Sequence, residues 1–220
     1  MRLDEITIDS KGLSLGAVNS QIRAATNHGV RVNVVNVEHL YGIAPGLQES
    51  ELTVKGNAND YIAFLNNGAR IIIEGNTGSF VGDSSQDGEI IVKGNAGYGA
   101  GVYSCGGTIV IYGDADDAVG QMLKGGILIV KGNVGDVVGL YMVGGEIVIA
   151  GDAGKELGDY MIRGIIYLKG ECKSLGHNAK YDKLIGEDLN RLSSLLKKYG
   201  IEAKADEFKK IVRVSERPFV

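Results

Sequence analysis

A glycine returns every 19 residues without a slip, at Gly56, Gly75, Gly94, Gly113, Gly132, Gly151 and Gly170. A period of this length marks a solenoid, in which one short structural unit stacks on its copies and none can bury its apolar face alone. Two further combs keep the register. Gly88, Gly107, Gly126, Gly145 and Gly164 follow their repeat glycine by 13 residues, with Gly68 early at 12, while Gly82, Gly101, Gly120, Gly139 and Gly158 follow by seven. Ala63 and His177 replace glycine in the end repeats, as degenerate capping repeats do. Helices are excluded from this region, because each interior glycine costs about 1 kcal/mol against alanine.

The residues before each repeat glycine are short β-branched runs, among them Ile71-Ile72-Ile73, Ile109-Val110-Ile111 and Ile147-Val148-Ile149. Asn, Asp or Glu follows the glycine, and these positions read as bends. Nineteen residues at about 3.3 Å give roughly 63 Å of contour, one circuit of a three-sided coil. The fold class is therefore all-β: a single-chain right-handed parallel β-helix of about seven 19-residue coils, with a small α/β segment before it and a helix after it. Its interior should hold ladders of like residues, Leu52 to Ile166 in one row, Val54 to Leu168 in another, and Ile62 to Leu157 along a second wall. The expected division is 1–51 as an entry strand and helix packed on the rod, 52–183 as the repeats, and 184–220 as a helix and tail, all in one domain.

Alternation turns the middle residue of each strand outward, yet Ile72, Ile91, Val110, Ile129 and Val148 are apolar. That ridge must be covered, by the chain's own terminal segments or by a docked polypeptide. The entry segment reads as a strand at Glu5–Ile8, a helix from Val18 to His28 capped by Asn19 or Ser20 and stopped at Gly29, and a strand from Val30 to Val37. After the repeats, Glu187–Tyr199 reads as an amphipathic helix with Gly200 as its stop, and Ile211–Val214 as a strand before the basic-aromatic finish Arg217-Pro218-Phe219.

Composition narrows the partners. Of 220 residues 34 are Gly and only 2 Pro, which excludes Pro-rich disorder, and 44% are hydrophobic, enough to build a core. A formal charge of −4 without a dense basic cluster argues against nucleic acid. The sequence holds no apolar run of bilayer length and no apolar leader after Met1, so no membrane partner and a cytoplasmic location are expected. Two cysteines, Cys105 and Cys172, are too few for a disulfide framework or zinc site.

Catalytic patterns are sparse. Gly97-Tyr98-Gly99-Ala100-Gly101 lacks both the dinucleotide spacing and a Gly-Lys-Ser/Thr ending, so no bound cofactor is expected. Gly12-Leu13-Ser14-Leu15-Gly16 matches the nucleophile elbow and lies between a strand and a helix, making Ser14 the one candidate nucleophile of a serine esterase, with a loop serine as the plainer alternative. His28, His39 and His177 share no metal-ligand spacing. Asp114, Asp116 and Asp117 read as a solvated turn, and Tyr103, Tyr141 and Tyr160, at one offset in three coils, as either packing or a sugar-binding face.

The 19-residue repeat, with Gly56-Asn57-Ala58-Asn59-Asp60-Tyr61 and Asn67-Gly68-Ala69-Arg70-Ile71, resembles the carboxy-terminal β-helix domain, with its GXGXG motif, of the glutamate synthase large subunit. The likeness runs from about residue 10 to 185; the tail from Tyr181 departs from it. The β-helical subunit of formylmethanofuran dehydrogenase is a second relative by resemblance. What the first resemblance implies is a non-catalytic scaffold of a split glutamate synthase, which makes glutamate from glutamine and 2-oxoglutarate. Its partners would be separately encoded amidotransferase and synthase subunits, the FMN and iron-sulfur clusters residing in them. The second implies a scaffold of a different complex, and self-association is a further partner to consider.

Overall fold

The computed structural model describes residues 4–217; the Met1 start and the Pro218-Phe219 end of the basic-aromatic finish lie outside the described residues. The described strands form one sheet in the order β1 to β9, then β11 and β10. Strand β1 (Glu5–Asp9), helix α1 (Leu15–Asn27) and strand β2 (Arg31–Val35) form a parallel crossover unit that opens the rod. Seven strands then stack in register at one per coil: β3 (Glu51–Lys55), β4 (Asn67–Ile73), β5 (Asp87–Val92), β6 (Thr108–Ile111), β7 (Ile127–Val130), β8 (Glu146–Ile149) and β9 (Ile165–Leu168). Each pairs parallel with the next, Leu52 on Ile71, Ile71 on Ile90, and so to Ile147 on Ile166. The 12-residue spacing at Gly68 appears as a register slip between Asn67 and Arg70 in β4.

The interior is the ladder array that the periodicity dictates. The Leu52–Ile166 and Val54–Leu168 rows are buried, as is the row Ile62, Val81, Ala100, Val119, Val138 and Leu157. Val18 and Ile22 of α1 join the same core, closing the first coils. At the far end the chain reverses. Strand β10 (Ala179–Asp182) is followed by helix α2 (Gly186–Tyr199), a short 3-10 turn (Ala205–Glu207) and strand β11 (Lys209–Arg213), which runs antiparallel between β9 and β10.

The repeat glycines lie at bends just after their strands, as expected, and the combs do different jobs there. From Gly75 onward the repeat glycines have ordinary φ; what they lack is room. A Cβ on Gly132 would lie 2.2 Å from Asp114 Oδ1 and 2.6 Å from the Gly113 carbonyl oxygen of the coil below. The residue after the glycine ties one coil to the next. Its side-chain oxygen accepts the backbone N–H one coil on, Asn57 from Asn76, Asn76 from Asn95, Asn95 from Asp114, Asp114 from Asn133, Asn133 from Asp152 and Asp152 from Glu171, at 2.7–2.9 Å. Positive φ belongs instead to the other two combs: to Gly88, Gly107, Gly126, Gly145 and Gly164 at the strand starts, and to a corner where alternate residues are left-handed, Val137, Gly139 and Tyr141 in one coil, and Ala118, Gly120 and Met122 in the coil before. Two overlapping turns follow, Leu140 N–H to Val137 O and Met142 N–H to Gly139 O.

Candidate functional site

The apolar ridge is the feature for which the sequence demands a partner, and the chain supplies it. Val110, Ile129, Val148 and Tyr167 are buried under Leu192, Leu195, Leu196 and Tyr199 of α2, with Ile201 and Phe208 completing a second core. The ridge Ile72, Ile91, Val110, Ile129 and Val148 is therefore no open docking surface: the last three are fully covered by the chain's own helix, Ile91 is 5% exposed, and only Ile72 is left half-buried. Further toward β1 the row turns polar, to Thr53 on β3 and Asn33 on β2, and both are half-buried.

Polar contacts fix the angle of α2. At its N-terminus Asp188 accepts from the Ile185 N–H at 2.8 Å, from Tyr167 Oη at 2.8 Å and from Lys210 Nζ at 2.9 Å. Burial pushes the Asp188 carboxyl up, but these three donors outweigh it and hold it below the usual carboxylate range. Burial, then Asp188, push the Tyr167 phenol well above its ordinary value. At the C-terminal end Tyr112 Oη donates to the Tyr199 carbonyl at 2.8 Å and Tyr199 Oη donates to Glu89 at 2.9 Å. Arg191 pairs with Glu146 at 3.0 Å midway. Sequence reading missed Asp188 and Lys210, since only the fold brings α2 and β11 together; the one signal was an acidic residue in the first helical turn.

Ser14 is the N-cap of α1. Its Oγ accepts the Ala17 N–H at 3.3 Å, and the helix begins at Leu15, four residues before Asn19. The elbow candidate therefore resolves as a cap: Ser14 is exposed, and His28 caps the other end of the same 13-residue helix, about 20 Å away at 1.5 Å per residue. His39 is exposed in the loop after β2, and His177 sits at the last coil, its Nδ1 3.1 Å from Asp159. The structure does not bring these side chains to one place.

The remaining candidates have structural work in the coils. Asp114 and Asp117 each accept a backbone N–H from the next coil, at 2.7 Å, and Asp116 accepts that of Asp117 at 2.9 Å. Among the described residues no group of three or more His, Cys, Asp or Glu is placed to hold a metal ion, and no helix is long and apolar enough to cross a membrane. Cys172 Sγ lies 3.3 Å from Tyr181 Oη; that contact, with burial, pushes the Tyr181 phenol up to about 12. The tyrosines stack along the rod, Tyr141 on Tyr160 at 5.6 Å and Tyr160 on the His177 ring at 5.2 Å, with Tyr61 on Phe80 at 4.8 Å on the neighbouring edge. Tyr141 and Tyr160 therefore pack their faces on neighbouring rings, while Tyr103, the third candidate, is exposed in another coil and lies outside these stacks.

One surface groove carries several cations, all of them paired within the chain. This groove, of about 690 Å³, runs between the corner glycines Gly126 and Gly145 and the edge of α2, and carries Arg191, Lys210 and Arg213. Each of the three already holds a carboxylate, of Glu146, Asp188 and Glu216. A smaller apolar hollow of about 350 Å³ lies between Leu15, Tyr41, Pro45, Tyr61 and Phe64. No family model matches the chain, and no curated protein sequence matches it.

Proposed function

We propose that this chain is a non-catalytic scaffold subunit of a split glutamate synthase, holding separately encoded amidotransferase and synthase subunits in the cytoplasm. The observation that carries the scaffold part is the filled interior. Aliphatic ladders occupy the coils from Leu52 to Leu168, and side chains with chemistry are spent on coil-to-coil hydrogen bonds or on fixing α2. A rod built this way acts through its outer surface. The identity of the complex rests on the motif resemblance at 56–61 and 67–71, and the same resemblance assigns FMN and iron-sulfur clusters to the partners.

Size-exclusion chromatography of the purified chain mixed with recombinant amidotransferase and synthase subunits tests the proposal. Co-elution of all three, with glutamine-dependent glutamate formation raised by the chain, is the expected result. Independent elution at micromolar concentrations would overturn it, and co-elution with formylmethanofuran dehydrogenase subunits instead would move the scaffold to that complex. An active-site-directed fluorophosphonate should leave Ser14 unlabelled, since its hydroxyl is engaged as a helix cap.

A further inference from the structure

The sheet begins with β1, which has β2 on one side and, among the described residues, no strand on the other. In a parallel ladder alternate residues turn both N–H and C=O toward the same neighbour. Arg31 N–H donates to the Asp4 carbonyl and Ser10 N–H to the Val35 carbonyl, so Asp4, Ile6, Ile8 and Ser10 face β2. The backbone groups of Glu5, Thr7 and Asp9 consequently point away from the sheet, and all three residues are exposed. Proline, a bulge or charge usually blunts such an edge; Glu5-Ile6-Thr7-Ile8-Asp9 has no proline or bulge, and its only charges are the two exposed carboxylates, which repel acidic segments and admit basic ones.

Charge says what fits there. On the outer face of the first strands one row alternates in sign, Glu5 beside Arg31, then Glu51, Arg70 and Glu89, with Arg31–Glu51 paired at 2.6 Å and Arg70–Glu89 at 2.9 Å. Glu5 ends that row at the open edge, so the next member of the series is a cation. Asp9 lies on the same face four residues on. We propose that the free edge of β1 receives an extended segment of a partner protein, which adds a strand to the sheet and carries Lys or Arg at two positions four apart, opposite Glu5 and Asp9.

A second copy is a poor occupant. Antiparallel pairing of two β1 strands about Thr7 sets Glu5 against Asp9, a like-charge contact. Head-to-tail stacking of β10 on β1 with Lys180 opposite Glu5 brings Lys183 beside the buried Ile8. The inference deepens the scaffold reading, because it names one place where a subunit is held and the chemistry of what is held.

The test measures fluorescence anisotropy of the full chain with two labelled peptides, Thr-Lys-Val-Thr-Val-Lys-Thr and its counterpart with Glu for Lys. The Lys peptide should bind at least about tenfold more tightly. Thr7→Pro removes an outward N–H and leaves the β2 ladder intact, and should weaken the Lys peptide by about tenfold or more. The double variant Glu5→Lys/Asp9→Lys gives up the exposed bonds of Glu5 to the Asn33 amide and of Asp9 to the Asn36 amide and the Lys11 N–H, leaves the buried Ile8 and the β2 ladder in place, and should invert the preference, which keeps the test decisive if Thr7→Pro misfolds. Equal binding of the two peptides, or an uninverted preference in the double variant, overturns the proposal. So does a sedimentation dimer that Thr7→Pro dissolves, which would make a second copy the occupant. Peptide binding as expected without co-elution of the synthase subunits would retain the edge and discard the glutamate synthase assignment; co-elution unchanged by Thr7→Pro and by the double variant would do the reverse.

Discussion

Val137 sits at φ +54°, in the left-handed region where a branched side chain crowds its own backbone. Glycine occupies the equivalent corner position in one coil, Gly99. Val137→Gly should therefore raise stability by about 1 kcal/mol despite the entropy of glycine in the unfolded chain, read as a higher thermal midpoint. Gly132→Ala should do the opposite. Its φ is ordinary, but the new Cβ meets the Gly113 carbonyl oxygen, a backbone atom that cannot swing aside. We expect a loss of about 3 kcal/mol or more in urea unfolding, and Asp114→Ala in the same chain should not restore it, because the carbonyl remains. The sequence shows that glycine recurs in three combs but is silent on why. Spacing alone does not distinguish a position needing positive φ from one needing the absence of a Cβ, and the left-handed Tyr61, Phe80 and Tyr141 give no compositional signal at all.

At the scale of the element, α2 was legible where it is amphipathic and illegible where it is anchored. Leu192, Leu196, Tyr199 and the Gly200 stop follow from periodicity, and Gly200 has the left-handed φ of +62° that a helix stop needs. The helix α1 starts earlier than periodicity suggests, because Ser14 caps it and the exposed Gly16 hides its first turn. The ridge beneath α2 announced that it needed a cover, and only the fold identifies which one. Asp188 gives that anchor a pH dependence. Its folded pKa lies below the unfolded value near 4, so its contribution is fully present above that value and is lost as pH falls through the folded pKa. Thermal midpoints measured from pH 6 down to pH 2.5 should drop more steeply below about pH 4 in the wild type than in Asp188→Asn. The variant itself should be less stable by about 3 kcal/mol at neutral pH, since Lys210 loses its ion-pair partner in a nearly closed site.

Over the whole molecule, stability is distributed unevenly along the rod. Strands β6 to β9 are covered on both faces, by the coil interior within and by α2 without, and their burial patterns are nearly continuous; β1 to β3 alternate between buried and exposed residues. In a stacked array each coil leans on its neighbours, so opening should begin at the thinly covered end. Hydrogen exchange followed by mass spectrometry should show amides of Thr108–Leu168 protected longest and those of Glu5–Asp9 and Arg31–Val35 shortest. Uniform protection along the sheet would contradict this.

Because α2 comes after every coil in the chain, the aliphatic stripe from Val110 to Tyr167 is complete before the segment that shields it has been synthesised. On the ribosome the nascent rod passes through an interval with a sticky flank and nothing to lay against it, the kind of exposure that invites clumping. The last segment to emerge is the one that ends that exposure, so the order of synthesis leaves the rod's flank bare until the chain is all but finished.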